Sequence, residues 1–154
     1  MDEIVILILG ILAVYFLCYL LQAFSVLKCF RFFNYENKAF AFVPYASYYG
    51  LAMCLNKQKF KVLGGEVDIE YFKVWWLLSL IVNLMPIPFV AQIISVVIII
   101  ACLGTNYNLI YDYTSGYEEG THEFLGYITI FCPIIFWIKM LSVKVPKLKG
   151  DYHA

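Results

Sequence analysis

The sequence predicts an all-α integral membrane protein, a polytopic helical bundle of about four transmembrane helices plus one interfacial or re-entrant amphipathic helix. Apolar residues make up 63% of the 154-residue chain and charged residues only 14%, against roughly 45–50% and about 25% in soluble domains. The charges also avoid the middle of four long apolar segments. A chain this short cannot hide so many apolar side chains from water in its own interior, so we expect lipid to cover them.

The first predicted span covers residues 4–27, which contain no charged side chain. About 20 apolar residues are enough for a helix to cross the hydrocarbon core. The acidic start at Asp2 and Glu3, the length of the apolar run and the lack of a cleavage site are not typical of a cleaved signal peptide. We therefore expect this segment to remain as an anchor.

The second apolar segment, residues 39–55, is weaker because it contains Pro44 and several tyrosines. Proline is tolerated in a first helical turn, and tyrosine favours the headgroup level. We predict an interfacial or re-entrant helix that begins near Pro44, and we leave open whether it crosses the bilayer. Residues 56–73 follow as a polar, water-exposed loop around Gly64 and Gly65.

Residues 74–103 are free of formal charge but are interrupted by Pro86 and Pro88. A straight helix of that length would measure about 45 Å, well over the roughly 30 Å hydrocarbon thickness. We therefore predict two spans, residues 69–85 and 89–111, although a single kinked and tilted helix is an alternative. An acidic loop from Tyr111 to Glu123 leads to a last span, residues 124–141, and a basic tail, residues 142–154.

The positive-inside rule predicts that the N-terminus lies outside the cytoplasmic membrane. If residues 39–55 stay at the surface, the basic residues from Lys28 to Lys73 lie inside and outnumber those of the tail seven to four, out of eleven. If that segment crosses, the inner side holds Lys28, Arg31, Lys38 and the four basic residues from Lys139 onward, again seven. Both arrangements place Met1 outside and leave the side of the C-terminus open.

Three apolar segments carry a proline between apolar residues, and two of them resemble a known family. Ala41 to Tyr49, continuing to Lys57, and the Trp75-Trp76 pair, continuing to Pro86, are similar to a family of small, uncharacterised bacterial membrane proteins. Its repeated pattern is Trp-x-x-Ile-Pro-x-x-Asn, and some members are joined to signal-peptidase sequences. The resemblance covers about residues 39–141 and implies a polytopic helical membrane fold without an assigned activity. This chain departs from the family pattern in three places. Ser47 replaces the first asparagine, and Pro88 and Phe89 replace the second. The linker from Gln58 to Ile69 is longer than in the family.

Neutral polar residues recur at helical spacing inside the predicted spans. No Asp, Glu, Arg or His falls in the middle of a span, which argues against the proton relay or ion-coupling carboxylate of a secondary transporter. Interhelical hydrogen bonds or the lining of a path for a small solute are the two roles open to the polar residues. The candidates for helix packing or pore lining are Gln92, Ser95, Asn106, Ser79 and Asn83.

A second group of residues is predicted to form a partner interface. Ala46, Gly50 and Cys54 repeat at i+4, and such small residues let another backbone approach closely, within this chain or from a partner subunit. Tyrosines 45, 48 and 49 belong to an aromatic band suited to the membrane interface or to a protein partner. The candidate interface residues are therefore Ala46, Gly50, Cys54, Tyr45, Tyr48 and Tyr49.

Glu119 and His122 form the one arrangement that resembles a reactive site, because i, i+3 spacing places two side chains on one helical face. A metal site would need further ligands, so we interpret them as part of a solvated acidic loop. We expect no cofactor, no enzymatic activity and no nucleic-acid partner. The predicted function is a non-enzymatic accessory or scaffold subunit that binds a membrane-protein partner or a second copy. The alternative is a small neutral-solute channel or permease, and an enzyme that uses Glu119 and His122 ranks third.

Overall fold

The computed structural model describes residues 2–43, 46–62, 64–70, 81 and 89–145, and these residues are mostly helical. Two long helices dominate, joined by short helices and a small β-hairpin. The elements are α1 (Asp2–Phe32), a 3₁₀ helix (Lys38–Phe42), α2 (Ala46–Met53), β1 (Lys59–Val62), β2 (Gly65–Asp68), α3 (Phe89–Ser115), α4 (Leu125–Phe131) and α5 (Ile134–Ser142).

Helices α1 and α3 are each long and apolar enough to cross a membrane, over Glu3–Phe32 and Gln92–Ser115. They correspond to the predicted spans 4–27 and 89–111, and both helices run several residues past the predicted C-terminal bounds. The predicted count of four spans is not confirmed, because two candidate helices are present, or three if one bent pair is counted as a span. These counts apply to the residues that the structure describes.

Both long helices end at a residue with left-handed backbone. Asn34 has φ 53° after α1, and Gly116 has φ 71° after α3. At α1 the amide of Tyr35 donates to the carbonyl of Phe30 over 2.8 Å, which is the six-to-one bond of a Schellman motif. Asparagine and glycine tolerate this conformation better than other residues, so these two positions determine where the helices stop.

Long side chains connect the C-terminal halves of α1 and α3, and the order of these contacts shows that the two helices run in the same direction. Gln22 contacts Tyr107 through a hydrogen bond of 3.4 Å, and further along both helices the ring centroids of Phe33 and Tyr113 lie 6.2 Å apart. We call the end of the molecule at which α1 and α3 terminate the packed end. The N-terminal halves of both helices are largely exposed at the opposite end.

The predicted span 124–141 consists of two short helices, α4 and α5, bent by 119° at a break of a few residues. Pro133 lies at the break and has no amide hydrogen, so the carbonyl of Thr129 loses its normal helical partner. The amide of Cys132 still donates to Ile128, and the chain turns directly after it. The predicted span 124–141 is therefore a bent pair of helices, which has the geometry of a broken span or a re-entrant loop.

Both outer ends of the α4–α5 pair lie near the packed end. Near the start of α4 the amide of Gly126 donates to the side chain of Asn108 over 2.6 Å. Near the end of α5 the ammonium of Lys139 donates to Ser115 over 2.6 Å. The pair thus forms a V that goes into the helix bundle and returns to the end from which it started.

The segment 56–73, predicted as a polar loop, contains an antiparallel hairpin in which Lys59 pairs with Asp68 and Val62 with Gly65. Alternating burial along β1 places Phe60, 1% exposed, in the core. Ile69, Glu70 and Ile81 are helical. The rest of the predicted span 69–85 lies outside the described residues, as do Pro44, Tyr45 and the tail from residue 146.

The segment predicted as an interfacial helix over residues 39–55 forms the 3₁₀ helix and α2, which pack on the C-terminal half of α1. Gly50 allows this close contact, because a β-carbon there would lie 2.4 Å from Cζ of Phe30, whose ring would have to shift. The ring centroids of Phe24 and Phe42 lie 5.8 Å apart in an edge-to-face arrangement. The core therefore forms where α1, α2, the hairpin, α3 and α5 meet.

Candidate functional sites

The residues predicted to pack helices or to line a pore differ in their surroundings. Ser95 and Asn106 are buried and Gln92 is half-buried, while Ser79 and Asn83 lie outside the described residues. Asn106 is 1% exposed. Within the described part of the chain, neither its side-chain oxygen nor its nitrogen has a hydrogen-bond partner. The cavities described below are lined by other residues.

The predicted partner-interface residues separate into two groups. Gly50 and Cys54 are buried inside this chain, so the small-residue stripe is used in packing on α1. Ala46, Tyr48 and Tyr49 are half-buried, and Tyr45 lies outside the described residues. Tyr49 borders a groove of about 610 Å³. The groove also contains Phe33, Tyr35, Glu36, Asn37, Phe40 and Met53.

Asp112 is a site residue that the sequence reading missed. It lies in the last turn of α3 and is 1% exposed, whereas the sequence reading placed it in a solvated loop. Its carboxylate accepts hydrogen bonds from the amides of Gly120 and His122 over 2.9 Å and 3.0 Å, and from Nδ1 of His122 over 2.6 Å. Gly116 was the available signal, since a helix that stops at glycine extends to Ser115 and includes Asp112.

Glu119 joins the loop after α3 to the segment before the hairpin. Its carboxylate contacts the ammonium of Lys57 over 2.5 Å and accepts from the hydroxyl of Tyr113 over 2.6 Å. The hydrogen bond from Lys57, and after it the one from Tyr113, lowers the pKa of Glu119 below its ordinary value. Lys57 also lies 5.8 Å from the ring centroid of Tyr113. The contacts therefore tie three segments together at the packed end.

The predicted Glu119 and His122 pair does not converge on a common ligand. Glu119 is engaged by Lys57 and Tyr113, while His122 is engaged by Asp112. In the ranges that the structure describes, no three His, Cys, Asp or Glu side chains are grouped to hold a metal ion. The contacts of Asp112 and Glu119 thus hold the loop between α3 and α4 against the end of α3.

A cavity of about 590 Å³ lies between the hairpin, α3 and this loop. Lysines 57, 59 and 61 lie on its hairpin side, and carboxylates and His122 lie opposite. Lys59 pairs with Glu66 over 3.4 Å at the exposed rim. The ion pair of Lys57 and Glu119 spans this cavity and holds the segment before the hairpin against the loop.

A smaller cavity of about 220 Å³ lies between α1, α2, α3 and the bend of the α4–α5 pair. Gln22 reaches across it, because its side-chain oxygen accepts from Nε1 of Trp137 over 2.7 Å and its nitrogen donates to Tyr107 over 3.4 Å. Thr129 lines the cavity, and its hydroxyl lies 2.7 Å from the hydroxyl of Tyr111. Gln22 and Thr129 belong to apolar segments far apart in the sequence, so only the fold brings them together.

The fold and these sites define a mostly helical protein with two candidate membrane-spanning helices, which is consistent with a membrane location. Comparisons with models of protein families, with curated proteins and with solved structures give no match. Its function therefore has to be inferred from its residues and their geometry.

Proposed function

We propose that this chain is a polytopic protein of the bacterial cytoplasmic membrane that serves as a non-enzymatic accessory or scaffold subunit of a larger membrane assembly. The exposure of α1 is the main observation in support. In an apolar stretch of eighteen residues of α1 none is buried, and Tyr15 is 76% exposed. A helix with this much uncovered apolar surface is available for lateral contact with another protein inside the bilayer.

The length of α1 strengthens this proposal. Its 31 residues correspond to about 46 Å at 1.5 Å per residue, and the described elements pack mainly on its C-terminal half. Helix association in lipid depends on close packing and on interhelical hydrogen bonds. The N-terminal half, which contains Gly10 with open space around it, can be covered by lipid or by a helix of a partner or second copy.

The groove beside Tyr49 offers a second contact surface. It combines aromatic side chains with a polar rim that includes Glu36 and Asn37. Protein interfaces are typically built in this way, with aromatic residues at the centre and polar residues around them. A membrane-protein partner that reaches the packed end would meet this groove.

The distribution of basic residues supports one orientation. Eleven residues are Lys or Arg, and Lys73, Lys147 and Lys149 lie outside the described residues. The other eight lie in three places: at and after the C-terminal end of α1, in or next to the hairpin, and in α5 or directly after it. All three places belong to the packed end. The positive-inside rule assigns that end to the cytoplasm. The predicted span 69–85 would then return the chain to the start of α3, and Met1 would lie outside.

Site-specific photocrosslinking at native expression tests the accessory role. A photoreactive amino acid at Leu12, which is 58% exposed, should give a discrete adduct with another membrane protein or a second copy. The same amino acid at Val26, which is fully buried, is the matched control and should give none. A lone monomer after purification in mild detergent, with adducts to lipid alone at Leu12, would contradict the proposal.

A small neutral-solute channel or permease is the second candidate. The buried, unpaired amide of Asn106 favours it, because an unsatisfied polar group in an apolar helix is costly and often serves function. Flux of urea or glycerol into proteoliposomes should then exceed that of empty liposomes and fall in Gln92→Leu and Asn106→Leu. Equal flux in all four samples would exclude this candidate.

A further inference from the structure

The 220 Å³ cavity around Gln22 lies in an apolar part of the molecule. Gln22 belongs to the uncharged run of α1 and precedes Lys28 by six residues, or about 9 Å along the helix. If α1 crosses the membrane, the cavity therefore lies inside the hydrocarbon layer and close to the packed end. Polar groups at that depth need hydrogen-bond partners inside the protein, because lipid provides none.

The side chains around the cavity leave hydrogen-bonding capacity unused. An amide side chain has two donor hydrogens and an oxygen with two acceptor positions. In the described part of the chain, Gln22 uses its oxygen for Trp137 and makes one long bond of 3.4 Å to Tyr107. A donor and an acceptor position on Gln22 thus remain available beside an open volume.

The bend between α4 and α5 adds a backbone acceptor. Pro133 cannot donate to the carbonyl of Thr129, and both residues line the cavity. Within the described ranges, no other backbone amide takes the place of the missing donor. Interrupted helices at membrane depth are tolerated where they border a polar cavity, and in transporters such breaks mark binding sites.

We propose that this cavity is a binding site for a small uncharged molecule with both hydrogen-bond donors and acceptors, such as a primary amide or a short polyol. The site does not depend on the accessory role. The described residues that line it carry no formal charge, so an ion would lose its hydration without an opposite charge to replace it. Its volume greatly exceeds the roughly 30 Å³ that one water occupies, so a short amide fits.

Trp137 provides a direct reporter because its indole lines the cavity and donates to Gln22. Replacing Trp75 and Trp76 with Phe leaves Trp137 as the only tryptophan of the full chain. Acrylamide is itself a small neutral amide that quenches tryptophan fluorescence, and iodide is a charged quencher. In nanodiscs we expect efficient quenching by acrylamide and several-fold weaker quenching by iodide.

Two variants alter the site by different means. Gln22→Leu removes the central amide, and we expect it to weaken quenching by acrylamide about fivefold, the factor that one hydrogen bond contributes. Leu103→Phe enlarges a wall residue without removing a hydrogen bond and should weaken quenching as well. Ile94→Leu, at an exposed position of α3 outside the cavity, is the matched control and should leave quenching unchanged.

Circular dichroism measures the helical content of each variant and identifies one that folds poorly. The other variant then still tests the site. Loss of acrylamide quenching in a folded Gln22→Leu or Leu103→Phe protein supports the site. Equal quenching by iodide and acrylamide, or acrylamide quenching unchanged in the folded variants, would overturn it. Neither result depends on whether Leu12 crosslinks to a partner.

Discussion

Asp112 shows how a single buried carboxylate organises the packed end. It receives three hydrogen bonds through its side chain, and its own backbone carbonyl accepts from Tyr117 over 3.0 Å. A buried carboxylate is costly unless its acceptor positions are used. The loop after α3 provides these donors, so the conformation of the loop and the burial of Asp112 depend on each other.

Replacement of Asp112 tests this dependence. Asp112→Ala leaves the amides of Gly120 and His122 without their acceptor, and we expect the free energy of unfolding to fall by about 3 kcal/mol. Denaturant unfolding in detergent measures the change. Glu118→Ala, an exposed carboxylate in the same loop, is the control and should stay within about 0.5 kcal/mol of wild type. Equal stability of both variants would show that the loop does not rely on Asp112.

Glu119 predicts a dependence on pH. Because its folded-state pKa lies below its ordinary value of about 4.5, its contribution to stability is complete above that value and is lost as pH falls through the folded-state pKa. Glu119→Gln should therefore differ from wild type by a constant amount between pH 8 and pH 6, of at most about 1 kcal/mol because the pair is partly exposed. The difference should shrink below about pH 4.5. A difference that grows on acidification would contradict this sign.

For individual residues, the sequence indicated which side chains could form a site but not all of the side chains that they contact. It identified Glu119 and His122 as neighbours by spacing, yet their partners, Lys57 and Asp112, are 62 and 10 residues away in the chain. Lys57 belongs to a different segment, and Asp112 is buried only because the loop folds over it. Contacts of this kind depend on tertiary packing and leave no periodic signal in a single sequence.

At the scale of elements, the close contact between α3 and α4 depends on glycine. A β-carbon on Gly126 would lie 2.2 Å from the carbonyl oxygen of Gly104 and 2.6 Å from the amide nitrogen of Asn108. These are backbone atoms, which cannot move aside without shifting a helix. The α4–α5 pair can therefore approach α3 only while residue 126 has no side chain.

Gly126→Ala should consequently lower the free energy of unfolding by roughly 1–3 kcal/mol, the usual cost of overpacking. Gly10→Ala is the matched control, since the space around Gly10 is open. It should be neutral or stabilising by up to about 1 kcal/mol, because alanine has the higher helix propensity. Thermal unfolding of both variants in one detergent checks the prediction. A Gly126→Ala protein as stable as Gly10→Ala would indicate a looser contact.

The bend at Pro133 marks the limit of element prediction from this sequence. Pro133 interrupts the last apolar segment of the sequence, but residues 124–141 still have the length and hydropathy of a span. Hydropathy carries no information on the direction in which a chain leaves a proline break. The contacts of Asn108 at the start of α4 and of Ser115 near the end of α5 determine that direction.

At the scale of the whole molecule, the V formed by α4 and α5 predicts the side of the membrane that holds the tail. The basic residues that the structure describes and both outer ends of the V lie at the packed end. If that end faces the cytoplasm, the tail lies there too, and the N-terminus lies outside. Counting lysines in the sequence had left the side of the tail open.

Cysteine labelling tests this arrangement. In a background without the five native cysteines, Gly150→Cys should be protected from a membrane-impermeant maleimide in intact cells and labelled after permeabilisation. Asp2→Cys is the companion variant and should be labelled in intact cells. Labelling of both positions from outside would mean that the α4–α5 pair crosses the membrane.

Local sequence is enough to predict that this chain is apolar and mostly helical, that α1 and α3 are long enough to cross a membrane, and that charged residues cluster beside them. These properties follow from local hydropathy, proline and glycine, which act over a few turns of helix. Packing between distant segments accounts for the burial of Asp112, the hairpin over residues 59–68 and the sharp bend of the last apolar segment. Those features depend on contacts between segments far apart in the chain, where shape and hydrogen bonding outweigh local preference.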